Sequence, residues 1–255
     1  MSKIQQPFSV IFWNVWVESQ LATDKLRALC RRFDELIAKY DPDAFGLNEV
    51  LSHSRGLPPL LKHLESRGYR VFFAPFSPEK NGYYGGSAFV SKVDPLGIDI
   101  HELGPDKHGE RHGYPGHTIK IIRASMLHAG MPVNVVVSYL AHLVPYNWAA
   151  HTKQYRNFRA LMRMPDLQTG TIIGGDFNRF KFLPPLRGGT RRYGRATGTL
   201  LHPTWKLIGK IPLIQANYDN ILWTTCGKLL LRDFRVLDRH PSDHAPLYAS
   251  FMVEP

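Results

Sequence analysis

Thr171-Ile172-Ile173-Gly174-Gly175-Asp176-Phe177-Asn178 is an apolar run that ends abruptly in a carboxylate and an amide. Its β-branched residues read as a buried strand over Thr171 to Gly174, with the polar groups at the strand's exit. The same plan recurs along the chain. Phe12-Trp13-Asn14 closes a strand that begins at Phe8, and Leu47-Asn48-Glu49-Val50 follows a short strand from Ala44. Ala141-His142-Leu143 follows a strand over Val133 to Leu140, and Tyr218-Asp219-Asn220-Ile221-Leu222 opens a strand that runs to Thr224. Ser242-Asp243-His244-Ala245-Pro246 precedes the last strand, Ala245 to Met252. Polar residues at the ends of apolar strands are what a site above a rigid sheet requires.

Helical periodicity alternates with these strands. Leu26, Leu29, Cys30, Phe33, Leu36, Ile37 and Tyr40 recur at three- and four-residue steps. Thr23 or Asp24 is the expected cap of this helix, and Pro42 stops it. A second helix is expected over Leu57 to Arg67. A third is expected over Trp148 to Met162, with Asn147 as its cap. Strands are also expected over Tyr69 to Ala74, Ser87 to Ser91 and His117 to Met126. Mixed strands and helices over one uninterrupted apolar pattern predict two sheets packed face to face with helices outside. No Ser/Gly linker interrupts the 255 residues, so a single domain is expected.

Composition narrows the partners. The formal charge is +11, and its distribution is uneven. No acidic residue lies between Asp176 and Asp219, whereas Arg179, Lys181, Arg187, Arg191, Arg192, Arg195, Lys206 and Lys210 all do. Such a segment attracts polyanions. The Gly/Arg-rich span from Pro184 to Gly198 reads as a long insertion. No apolar run is long enough to span a bilayer, so stable membrane insertion is not expected. Cys30 and Cys226 are the only cysteines, which predicts reduced thiols and a cytoplasmic setting. The spacings among His101, His108, His112 and His117 match no compact zinc pattern, so these are read as loop polarity.

In order and wording, the six polar motifs resemble those of the endonuclease/exonuclease/phosphatase superfamily, from Trp13 to Pro246. Gly-Asp-Phe-Asn at 175–178 and Ser-Asp-His at 242–244 carry the resemblance. It implies a deoxyribonuclease-I-like α/β fold, a four-layer α/β/β/α sandwich. It also implies metal-assisted attack of water on a phosphoester. Hard carboxylate oxygens suit Mg²⁺ or Mn²⁺, and the resemblance makes Glu49, Asn14 and Asp243 the metal-side residues. His244 takes the acid/base role, paired with Asp219, since a partner carboxylate fixes the imidazole tautomer. Asp176 orients or deprotonates the water, Asn178 donates to a phosphate oxygen, and His142 donates to a non-bridging oxygen or the leaving group. Arg111 matches a region where nucleases of the family contact phosphate.

Trp16, the Asn48-Glu49 pair and His142 depart from abasic-site endonucleases, which argues against that activity. The leading expectation is a nuclease acting on DNA, with Arg191, Arg192 and Arg195 following the nucleic-acid backbone. Two others stay open: a sphingomyelinase-like or inositol-phosphate-phosphatase-like phosphoesterase, and a catalytically silent binding module. Protein partners have no signature in the sequence.

Overall fold

A computed structural model describes residues 7–15, 20, 22–52, 56–76, 84–107, 116–141, 147–164, 167, 170–178, 193–198, 204–206, 215–225 and 229–254. Two six-stranded mixed sheets dominate it. The first contains β1 (Phe8–Asn14), β2 (Ala44–Ser52), β3 (Arg70–Pro75), β4 (Tyr84–Ser91), β13 (Leu229–Val236) and β14 (Leu247–Val253), in the order β13-β14-β1-β2-β4-β3. The second contains β5 (Gly97–Pro105), β6 (Thr118–His128), β7 (Met131–Tyr139), β8 (Thr171–Asp176), β9 (Tyr193–Thr197) and β12 (Asp219–Thr224), in the order β5-β6-β7-β8-β12-β9. A short ribbon pairs β10 (Trp205–Lys206) with β11 (Gln215–Ala216). Among the described residues, β1–β2 and β7–β8 are the parallel pairs.

The two-residue period of β1 explains the layering. Phe8, Val10 and Phe12 face the second sheet, where they meet Val135, Val137, Ile172 and Ile221. Ile11, Trp13 and Val15 face the other way, onto Leu29, Phe33 and Leu36 of α1 (Thr23–Tyr40) and Leu60, Leu61 and Leu64 of α2 (Pro59–Ser66). The outer face of the second sheet, with Ile121, Val136 and Ile173, is covered by Phe158 and Leu161 of α3 (Trp148–Leu161). Helices, sheet, sheet and helix therefore stack as the expected α/β/β/α sandwich. Three apolar layers result, one between the sheets and one under each helical layer, so both faces of each sheet are removed from water.

Most expected elements are present, with shifted ends. The cap of α1 differs from expectation, and that of α3 is the expected residue without a capping side-chain bond. Ala22 occupies the N-cap of α1, and no side-chain hydrogen bond caps that end. Asn147 stands at the N-cap of α3 but turns its side chain to Asp106 and to the Lys107 N–H. The strand from Ala44 is longer than expected and runs to Ser52. Three edge strands were not expected: β5, β9 and β13. Of these, β9 lies inside the span read as an insertion, so Tyr193–Thr197 belongs to the sheet, paired with β12. His117 is not mere loop polarity, because its Nδ1 lies 3.2 Å from the buried Asp106 carboxylate. Cys226, His108, His112, Trp16, Arg111, His142, Arg191 and Arg192 lie outside the described residues. Among the described residues, no helix is long and apolar enough to cross a membrane.

Candidate active site

Register brings the strand-end residues together. In the parallel β1–β2 pair Asn14 stands opposite Asn48, and in the antiparallel β8–β12 pair Asp176 stands opposite Asp219. Parallel pairing of β7 with β8 sets Tyr139 beside Asp176. The central strands of both sheets thus end in one cluster of polar side chains. Phe12 locks the two sheets at this level, because its ring lies against Gly46 on its own sheet and Gly174 on the facing one. A Cβ at either glycine would overlap that ring, which is why the strand before Asp176 carries glycine.

The polar network spans both sheets. Asn14 Nδ2 donates to Glu49 Oε1 at 2.9 Å and to Asp176 Oδ2 at 3.0 Å, the second bond joining residues 162 positions apart. The Asp176 N–H donates to Asn48 Oδ1 at 3.1 Å, and Asn48 Nδ2 donates to Ser87. Asp176 Oδ1 accepts the Asn178 N–H at 2.7 Å, and Asn178 Nδ2 donates to the Leu140 carbonyl at 2.7 Å. Glu49 and Asn178 both adopt left-handed backbone, with φ of 56° and 48°. Such conformations are costly for residues with a Cβ and gather at functional sites.

His244 closes the pocket from the segment before β14. Its Nδ1 lies 2.8 Å from Asp219 Oδ2, while Nε2 points between Asp176 Oδ2 at 3.8 Å and Asp243 Oδ1 at 3.9 Å. Ser242 fixes this turn by donating its hydroxyl to the Asn14 carbonyl and accepting the His244 N–H. Trp13 Nε1 donates to the His244 carbonyl at 2.9 Å. Thr204, which sequence reasoning missed, accepts the Asp219 N–H with its hydroxyl and the Ala245 N–H with its carbonyl. Gln20 and Tyr139 were missed as well, since neither lies in a recognisable motif.

Burial and crowding of charge shift two groups strongly. Asp176 is raised to about 7, first because burial disfavours its charged form and then because Asp219 and Glu49 repel it; His244 and the Asn178 N–H oppose the rise. For His244, burial alone lowers the pKa, but the paired Asp219 carboxylate, with Asp176 and Asp243, outweighs it and lifts the imidazole to about 10. Carboxylate and imidazole atoms of Asp176, Asp219 and His244 all lie within 4.8 Å of one another, a buried group that could hold a metal ion. Asp219 Oδ1 is buried without a hydrogen-bond partner among the described residues, so the pocket has an unsatisfied acceptor that a cation or a donor would satisfy.

The structure therefore unites Asn14, Glu49, Asp176, Asn178, Asp219, Asp243 and His244. Arg195 lies apart on edge strand β9, where its Nε donates to Asn220 Oδ1 at 2.7 Å.

A sandwich whose two sheets end in one acidic cluster defines a deoxyribonuclease-I-like phosphoesterase scaffold. Residues 11–244 match the Endonuclease/Exonuclease/phosphatase family, and the chain belongs to that family. The fold is similar to the human Nocturnin catalytic domain with bound sulfate anion, at 18% identity and a TM-score of 0.72, covering 97% of this chain and 94% of that one. An endonuclease/exonuclease/phosphatase from Bacteroides vulgatus gives 15% identity and a TM-score of 0.74, over 98% of this chain and 100% of the other. The 3′ phosphatase NExo from Neisseria, bound to product DNA hairpin, gives 18% identity and 0.66, over 96% and 99%. At these identities the likeness is one of fold. No curated protein sequence matches the chain.

Proposed function

We propose that this protein is a divalent-metal-dependent hydrolase of nucleic-acid phosphoesters, with DNA as its substrate. The observation that carries the proposal is the His244–Asp219 pair facing Asp176, which is itself tied through Asn14 to Glu49. The DNA assignment is supported by the charge of +11 and the acid-free basic segment, and by the DNA hairpin bound to the structurally similar NExo. A cytoplasmic location and a single catalytic domain complete the reading.

The donor set fits a hard cation. Glu49, Asn14 and Asp243 would hold it with carboxylate and amide oxygens, as suits Mg²⁺ or Mn²⁺. When bound, the ion supplies charge neutralisation at the phosphoryl oxygens and at the departing oxygen. Placing it beside Glu49, outside the Asp176–Asp219–His244 group, leaves the imidazole–carboxylate pair intact.

The chain's own residues do the rest. A water oxygen attacks phosphorus in line, forming one P–O bond as the ester P–O bond opposite breaks. Asp176, raised to about 7, is suited to take the water's proton near neutral pH. His244, raised to about 10, is charged at that pH and donates its Nε2–H to a non-bridging oxygen. This refines the acid/base role expected for it. Asn178 commits one amide hydrogen to Leu140, and its second N–H is directed to a phosphate oxygen. His142 and Arg111 are assigned to the leaving group and the phosphate respectively.

Incubation with supercoiled plasmid tests the proposal. Nicking in Mg²⁺ or Mn²⁺, abolished by EDTA and by His244→Ala, is expected. Absence of cleavage, with phosphate released from inositol phosphates or phosphocholine from sphingomyelin, would overturn the DNA assignment while leaving the phosphoesterase.

A further inference from the structure

Glu49 does not sit in the regular part of its strand. Pairing of β2 with β4 is regular up to Leu47 opposite Ala88 and resumes at Val50 opposite Gly86. Asn48 and Glu49 therefore face a single residue of β4, and the strand bulges there. The bulge turns Glu49 into left-handed backbone, with φ of 56°. A side chain from outside the sheet splints it. Gln20, only 2% exposed, donates Nε2 to the Glu49 carbonyl at 2.8 Å and accepts the Leu51 N–H on Oε1 at 2.8 Å. One primary amide thus holds the main chain on both sides of Val50.

The carboxylate is held asymmetrically. Asn14 Nδ2 and the Tyr139 hydroxyl both donate to Oε1, at 2.9 and 3.3 Å. Among the described residues no donor reaches Oε2. The Tyr139 ring is buried and stacks on Phe76 at 5.1 Å between centroids, so its hydroxyl has little freedom to leave.

We infer that Gln20 and Tyr139 are positioning residues for Glu49. Gln20 sets the backbone of the bulge, and Tyr139 occupies Oε1 so that Oε2 is the oxygen left to meet a divalent cation. The inference rests on Glu49 being a cation ligand, as proposed above. Partners of this kind orient a ligand before the ion arrives, and their removal typically weakens metal binding by about 10- to 100-fold.

Mn²⁺ binding to the full chain, followed by calorimetry and by the spectrum of free Mn²⁺ without any substrate, tests this. Gln20→Met removes both hydrogen bonds at nearly constant length. Tyr139→Phe removes only the hydroxyl and keeps the ring stack. Both are expected to weaken Mn²⁺ binding by about tenfold or more, and the melting temperature of Tyr139→Phe in EDTA is expected to stay near the wild-type value. Glu49→Gln separates the two levels of argument. If the wild type binds no Mn²⁺, or if Glu49→Gln binds it as the wild type does, the ligand reading itself fails. If Glu49→Gln loses binding while Gln20→Met and Tyr139→Phe bind within about twofold of wild type, well short of the expected loss, positioning is overturned and the ligand reading stands. Should Gln20→Met not fold, Tyr139→Phe decides alone.

Discussion

His244 Nδ1 and Asp219 Oδ2 lie 2.8 Å apart, with both side chains buried at the seam between the sheets. Burial alone would push the imidazole toward its neutral form, and the carboxylate reverses that sign. Asp219→Asn removes the charge and keeps the shape. The pKa of His244, about 10 in the parent, should fall, because burial is then opposed only by the Asp176 and Asp243 charges. Histidine NMR titration of the metal-free protein measures it. The stability consequence follows in sign. A group raised in the folded state stabilises fully below its unfolded value and loses that contribution as pH rises through the folded value. The parent should therefore lose stability between about 6.5 and 10, and Asp219→Asn should lose less over that range. An unchanged His244 pKa in the variant would show that Asp219 is not the cause.

Catalysis and metal binding should separate by residue. His244→Ala and Asp176→Ala are expected to lower kcat by about 100-fold or more, with Mn²⁺ affinity altered only a few-fold. Glu49→Ala should abolish saturable Mn²⁺ binding and activity together. Plasmid nicking and calorimetry on the same preparations check this. If His244→Ala loses the ion as completely as Glu49→Ala, the cation belongs to the buried Asp176–Asp219–His244 group instead.

Phe12 and the glycines around it explain why much of the fold was legible. The strands at Phe8–Asn14 and Thr171–Asp176 are buried along their whole length, so apolar runs ending in polar residues marked them clearly. The edge strands β5, β9 and β13 gave no such signal. Gly97–Pro105 buries only Leu103 among exposed and half-buried residues, and Tyr193–Thr197 is short and carries glycine and arginine. Asp176 and His244 have motif context and were legible as candidates, whereas Gln20 and Thr204 were not. Their contacts depend on where distant segments return, which periodicity does not encode.

The close approach at Phe12 yields its own test. Gly174→Ala places a methyl into the Phe12 ring, so one of the two sheets must move. Overpacking of this kind costs about 1–3 kcal/mol, measurable as a lower urea midpoint with unchanged slope. Phe12→Leu alone should also destabilise, by loss of packing. Combined, the two changes should cost less than their sum, because the smaller side chain opens room for the methyl. Simple additivity would show that the ring and the glycine are not in the contact described.

Arg195 links the fold to the proposed substrate path. Its Nε is committed to Asn220 Oδ1, next to Asp219, and a guanidinium retains further donors beyond that one. Arg195 is exposed on β9; partial desolvation of its guanidinium lowers its pKa, yet arginine remains charged at neutral pH. Neutralising Arg191, Arg192 and Arg195 in turn should therefore weaken DNA binding and flatten its salt dependence. Each lost phosphate contact removes about 0.9 from the slope of log affinity against log salt for duplex DNA, and about 0.7 for a single strand. Filter binding or fluorescence anisotropy across a salt series, using duplex and single-stranded oligonucleotides of equal length, reads that slope directly. A smaller change for Arg195 than for Arg191 and Arg192 would mean that its bond to Asn220 mainly fixes the β9–β12 register. No change for any of the three would take the basic segment out of contact with the substrate and leave the strand-end pocket to recognise the phosphoester alone.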